Sequence, residues 1–188
     1  MSAPRGPLLV LSGPSGVGKT TIGAGLLRNP AVGRAVTATT RPPRDGEVHG
    51  RDYLFLDEAG FREGIAAGRF LEHAVVHGNL YGTPREQVEA IRAGGRVCLL
   101  VIDVQGAATL RAAGVEAFYV FVAPPSWEVL EARLRSRGSE DEEALRRRLA
   151  GARAELARRH EYDSVVINDD LDRAIAQIEG LAFRGGPQ

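Results

Sequence analysis

The chain has almost no lysine. Of its 24 cationic side chains in 188 residues, 23 are arginine and one, Lys19, is not. Cysteine is equally scarce. The single Cys98 lies in the apolar run Val97 to Ile102, so no disulfide can form within the chain, which fits a reducing compartment. Net charge is absent, with 24 acidic residues against 24 basic ones, so no electrostatic footprint of a nucleic-acid or membrane binder is present. No apolar stretch approaches membrane-spanning length, and Leu8 to Leu11 is too short for a secretory signal core. A cytoplasmic protein of one compact domain is the expectation, with no nucleic-acid and no membrane partner.

What is there begins with the place of the one lysine. Gly13-Pro14-Ser15-Gly16-Val17-Gly18-Lys19-Thr20 fits the phosphate-loop pattern G-x-x-x-x-G-K-[ST] at every fixed position. A short apolar run, Pro7 to Leu11, precedes it as a buried strand, and Thr20 to Arg28 follows with Ile22, Leu26 and Leu27 at helical spacing. Glycines let consecutive backbone N–H groups turn inward, and the helix N-terminus adds its positive dipole end. Lysine is a compact ammonium on a flexible stem, whereas arginine is a wide planar fork, so only lysine suits a tight cradle. Lys19 is expected to reach the β- and γ-phosphates of ATP, and the Thr20 hydroxyl to ligate Mg²⁺.

Short apolar strands alternate with helical patterns along the chain. Strands are expected at 7–12, 34–38, 53–56, 70–76, 96–102, 117–122 and 164–167, and helices at 19–28, 57–68, 84–93, 105–113, 126–136, 140–159 and 170–183. The continuous apolar runs 97–102 and 118–122 look covered on both faces, as in a parallel sheet. The fold class is therefore a three-layer α/β domain, with phosphate bound beyond the carboxyl ends of the strands. Residues 36 to 90 are less regular and read as an inserted lobe.

Within that stretch, Thr37 to Tyr53 is dense in hydroxyls, prolines and arginines. Pro42 and Pro43 stiffen the backbone between Arg41 and Arg44, so two guanidinium forks are held as a preformed anion clamp. In the region 133–148, Arg133 and Arg137 form an unfavourable like-charge pair on a continuing helix unless an anion lies between them. Ser139 with Glu142 is a capping box. Arg146 and Arg147 have acidic partners at helical spacing, while Arg148 has none.

Together these segments resemble the guanylate kinase family. The resemblance rests on the phosphate loop, Thr39-Thr40-Arg41-Pro42-Pro43-Arg44, Gly46-Glu47, Gly50-x-Asp52-Tyr53, Phe70-Leu71-Glu72 and Asn79-Leu80-Tyr81-Gly82-Thr83. It continues through Ile102-Asp103-Val104-Gln105-Gly106, Arg137-Gly138 and Val166-Ile167-Asn168-Asp169-Asp170-Leu171, and so covers roughly residues 8 to 180. It implies a phosphate-loop NTPase core with a parallel sheet (about 1–33, 94–132 and 160–188), a GMP-binding lobe (about 34–93) and a mobile lid (about 133–159). The implied activity is transfer of the γ-phosphoryl group of ATP to GMP, and by extension dGMP, in purine nucleotide metabolism.

The resemblance also implies roles. Arg41, Arg44, Tyr53 and Tyr81 would hold the GMP phosphate. Glu72 would accept hydrogen bonds from guanine N1–H and the amino group, and Thr37 and Thr83 would add hydroxyl contacts to the base. Asp103 would meet the substrate or, through water, Mg²⁺. Arg133, Arg137 and Arg148 would close over the transferring group, and Asn168 would lie near adenine. At 101, where the family often has a carboxylate, this chain has Val101, which puts the orientation of Arg41 in question. Three other readings remain: another phosphate-loop kinase, an AMP-specific kinase, and a phosphopeptide-binding scaffold module. The first has no reason for the 41–53 cluster, the second lacks the guanine-facing carboxylate, and the third typically loses the loop lysine.

Overall fold

The computed structural model describes residues 5–76, 78–136 and 142–183. Five parallel strands form the main sheet in the order β2-β7-β1-β8-β9: β1 (Leu8–Ser12), β2 (Val32–Arg34), β7 (Val97–Val101), β8 (Phe118–Ala123) and β9 (Ser164–Ile167). Apolar runs without polar alternation form the central strands β7, β1 and β8, whose two faces are covered, whereas the edge strand β2 carries Gly33 and Arg34 and the edge strand β9 leaves Val165 and Ile167 exposed. Alternate residues divide between two cores. Leu9, Leu11, Leu99, Val120 and Val122 pack on α1 (Lys19–Leu26), α5 (Trp127–Ser136), α6 (Glu142–Ala157) and α7 (Leu171–Phe183). Leu8, Val10, Cys98, Leu100 and Ile102 pack on α3 (Arg85–Ala93) and α4 (Val104–Ala112). Burial pushes the Cys98 thiol up to about 11, as suits a core side chain. Among the described residues, no helix is long and apolar enough to cross a membrane.

A second, four-stranded sheet has the order β4-β3-β6-β5, from β3 (Ala38–Thr39), β4 (Leu54–Phe55), β5 (Phe70–Val76) and β6 (Asn79–Pro84), with α2 (Glu58–Ala66) against it. Here the structure departs from the expected elements. The single strand expected at 34–38 is two strands in two sheets, with the crossing made at residues 35–37. No strand is expected at 79–84, yet β6 pairs antiparallel with both β5 and β3. Its Asn, Gly and Pro are poor strand formers, and tertiary packing overrides them. A Cβ at Gly82 would stand only 2.9 Å from the Phe61 ring and 3.0 Å from the Phe70 ring, so glycine admits those stacked rings under the sheet. The expected helix 140–159 ends at Ala157 and tightens into a 3₁₀ turn, Arg158–Glu161. The capping-box Ser139 lies outside the described residues.

Candidate active site

Gly13 to Gly18 join β1, at the centre of the main sheet, to α1, so the loop sits at the carboxyl end of the strands. Gly18 precedes the helix with φ 94°, a conformation that favours glycine, and Lys19 is the first helical residue. The Lys19 side chain folds over the loop, its Nζ donating to the carbonyls of Gly13 (2.5 Å) and Pro14 (2.9 Å). Thr20 follows on the same turn.

One cleft joins this loop to the second sheet. Gly13, Ser15, Lys19, Thr20, Thr37, Arg41, Arg44, Tyr53, Glu72, Tyr81 and Asp103 all line it. Thr83 reaches the same place through its hydroxyl, which donates to Glu72 Oε1 at 2.7 Å. Glu72 is only 5% exposed. Burial drives its carboxyl up to about 7, the Thr83 hydrogen bond opposes that, and the charge of Asp103 adds to it. The first turn of α4 presses against it, since a Cβ at Gly106 would lie 3.0 Å from Glu72 Oε2. Asp103 caps α4, accepting from the Gly106 N–H at 2.8 Å.

Arg41 is fixed by a residue to which the sequence pattern assigned no role. Both carboxylate oxygens of Glu47 accept from Arg41 Nη2, each at 2.9 Å, and Glu47 also accepts the Arg44 N–H at 2.8 Å. One carboxylate thus orders the whole Arg41–Arg44 turn. The guanidinium lies 5.3 Å from the Tyr53 ring centroid, and Tyr53 meets Tyr81 edge-on at 6.0 Å. Val101 lines the cleft as well, its methyl 3.2 Å from where a Cβ on Gly23 of α1 would stand. In this cleft the Arg41 guanidinium is therefore oriented by Glu47. The signal was present in sequence as the six-residue spacing of two opposite charges around a proline turn.

Glu155 also lines the cleft. It stands on α6 seven residues after Arg148 and three after buried Ala152, so one helix face carries all three. Arg148 Nη2 donates to Ser15 Oγ at 3.3 Å, which lays α6 across the loop. Burial raises the Glu155 carboxyl above its ordinary range; Lys19 opposes that shift, Asp103 adds to it, and the Ser15 N–H opposes it again.

Four further predicted residues gather in a separate pocket, while Val17 is buried in the core. Gly16, Gly18, Arg133 and Asn168 line a second, shallow pocket. Arg133 Nη2 reaches the Asn168 carbonyl at 3.4 Å. Arg137 lies outside the described residues.

Comparison with known proteins gives a consistent result. A family model described as guanylate kinase matches residues 5–183. The chain is 49% identical over 178 residues to the guanylate kinase of Synechococcus sp. (strain CC9902), covering 94% of this chain and 95% of that one. With the guanylate kinase of Gloeobacter violaceus the figures are 51% over 185 residues, covering 98% and 90%. The crystal structure of guanylate kinase from Anaplasma phagocytophilum matches with a TM-score of 0.79 at 35% identity, over 97% of this chain and 87% of that one.

Proposed function

The chain belongs to the guanylate kinase family and transfers the γ-phosphoryl group of ATP to GMP, and on that premise we propose how its residues divide the work. The loop from Gly13 to Thr20 holds the ATP phosphates, with Lys19 at the β/γ end and Asn168 beside the adenine side. Arg41, Arg44, Tyr53 and Tyr81 hold the GMP phosphate dianion, two cations and two hydroxyl donors around one group. Glu72 in its ionised form accepts from guanine N1–H and the amino group, flanked by Thr37 and Thr83. AMP offers no such donor pair and would strand a buried carboxylate, a mismatch worth about 10⁴-fold in selectivity where such groups are left unpaired. Because these contacts reach the base and the phosphate, dGMP is a second acceptor.

No protein nucleophile is needed. A GMP phosphate oxygen attacks the γ-phosphorus in line, the ADP oxygen leaves, and alignment with charge stabilisation carries the acceleration. Arg133, Arg137 and Arg148 form the lid that closes over the transferring group and excludes water, whose attack on ATP is the competing reaction. The core, the GMP lobe at about 34–93 and the lid at about 133–159 are the corresponding moving parts.

The Thr20 hydroxyl and, through water, Asp103 are the groups that would hold Mg²⁺. Hydroxyl and carboxylate oxygens in one cleft suit that ion, which takes few protein ligands and completes its shell with phosphates and waters. When bound, it neutralises charge on the β- and γ-phosphates. A cytoplasmic location accords with the single, buried cysteine.

The observation that carries the reading is one cleft with the phosphate loop at one end, the Glu72–Thr83 acceptor at the other, and Arg41 and Arg44 between them. A coupled ADP-release assay with GMP, dGMP, AMP, CMP and UMP tests it. Turnover should be confined to GMP and dGMP, and equal rates with AMP would sink the assignment of Glu72. Absence of turnover together with tight phosphopeptide binding would favour a scaffold role.

A further inference from the structure

Asn168 is tied to its surroundings in three directions. Its backbone N–H donates to the Ala123 carbonyl at the end of β8 at 2.8 Å, and its own carbonyl takes Arg133 Nη2. Its side-chain Nδ2 donates to the Val17 carbonyl, inside the phosphate loop, at 2.7 Å. Only the amide nitrogen can donate to a carbonyl, so the partner fixes which way the amide points. The residue is 8% exposed, and a Cβ at Gly18 would lie 2.5 Å from Nδ2. The two chains meet there with no room to spare.

We propose that Asn168 is a positioning residue for the phosphate loop, holding the Val17–Gly18 peptide so that the Gly18 N–H faces the phosphate chain. This rests on the ATP site assigned above. In a planar trans peptide the carbonyl and the following N–H point in opposite directions. Fixing the Val17 carbonyl toward the β9–α7 turn therefore turns the Gly18 N–H the other way, into the cradle. Flanking residues do not fix this plane by themselves, because Gly16 and Gly18 both sit at positive φ, 87° and 94°, where glycine has wide freedom. A distant side chain supplies the constraint. Asn168 thereby acts on phosphate binding without touching phosphate.

The test separates loop positioning from base recognition. Asn168→Ala removes the donor. Asn168→Asp keeps the shape but sets an acceptor oxygen against the Val17 carbonyl. Binding of inorganic tripolyphosphate with Mg²⁺ is measured by calorimetry, alongside kcat/KM with ATP and with ITP, which lacks the 6-amino group. Both variants should weaken tripolyphosphate about tenfold, the usual consequence of leaving a buried carbonyl unpaired. They should lower kcat/KM for ATP and ITP by the same factor, with KM for GMP unchanged. Unaltered tripolyphosphate affinity in either folded variant would overturn the proposal, and so would a loss confined to ATP. Since calorimetry needs no turnover, a wild-type chain unable to phosphorylate GMP would overturn the functional reading rather than the loop geometry.

Discussion

The two ends of the cleft are built by different means. The proposed donor end is one uninterrupted octapeptide that runs from the end of β1 into the first turn of α1, where a phosphate chain would meet mainly backbone N–H groups. The proposed acceptor end takes side chains from residues 37, 41, 44, 53, 72, 81 and 83, gathered around the second sheet. A backbone cradle is insensitive to most side chains but demanding about φ and about the one cation that must enter it. A side-chain clamp depends on charge state, on burial and on the neighbours that orient each group. Substitutions at the two ends should therefore fail in different ways.

The largest expected effect is at the donor end. Lys19→Arg keeps the charge but replaces a point ammonium by a fork, and kcat should fall about 10²-fold or more, the scale of losing one preorganised electrostatic contact. Near-normal kcat in a steady-state assay would remove the geometric case for lysine. At the acceptor end, Glu72→Gln should cut kcat/KM for GMP by about 10²-fold and narrow the preference over AMP, because an amide presents one acceptor where guanine offers two donors. Measuring both substrates distinguishes lost recognition from a damaged fold, which would lower both alike.

The acceptor end should also be the pH-sensitive one. The Glu72 carboxyl titrates near 7 in the free protein, raised by burial from the ordinary carboxylate range. In the proposed binding mode GMP takes the ionised form, so KM for GMP should be flat above that pH and rise about tenfold per unit below it. The phosphate of GMP titrates at about 6 and adds its own slope. Repeating the profile with Glu72→Gln isolates the carboxyl's share, and a wild-type profile identical to the variant's would rule it out.

Two smaller effects concern Arg41. Glu47→Gln removes the paired contact on Arg41 Nη2 and should raise KM for GMP about five- to tenfold, the cost of one charge-assisted pair, with a lesser change in kcat. Val101→Asp should change kcat less than about threefold, under a kcal/mol in the barrier, since Glu47 already orients Arg41. A large gain in kcat from that substitution would mean that the carboxylate at 101 supplies something Glu47 does not.

Legibility followed the same division. The phosphate loop was legible in the sequence because its residues are consecutive, and the flanking strand and helix lie within about a dozen positions of it. The central main-sheet strands β1, β7 and β8 were equally plain, since two-sided burial writes a continuous apolar run, whereas the edge strand β2, Val-Gly-Arg, was merged with β3 into one expected strand. The second sheet was not. β6 is strand because β3 and β5 flank it and Phe61 and Phe70 need the space at Gly82, although its own residues resist the conformation. Glu155 was hidden because a glutamate seven residues from an arginine looks like any solvated helix face until Ala152 is seen to be buried between them.

By itself the sequence determined the phosphate loop, the α/β alternation and the family, because adjacent residues dictate local backbone geometry and burial pattern. The tertiary structure alone decided the upward shift of the Glu72 carboxyl and the hold of Asn168 on the loop. Each depends on a chain segment arriving from elsewhere to exclude water or to supply a hydrogen bond, and no local pattern contains the identity of that neighbour. The lone lysine could be recognised from eight residues; the Val17 carbonyl two positions before it is held by a side chain about 150 positions away.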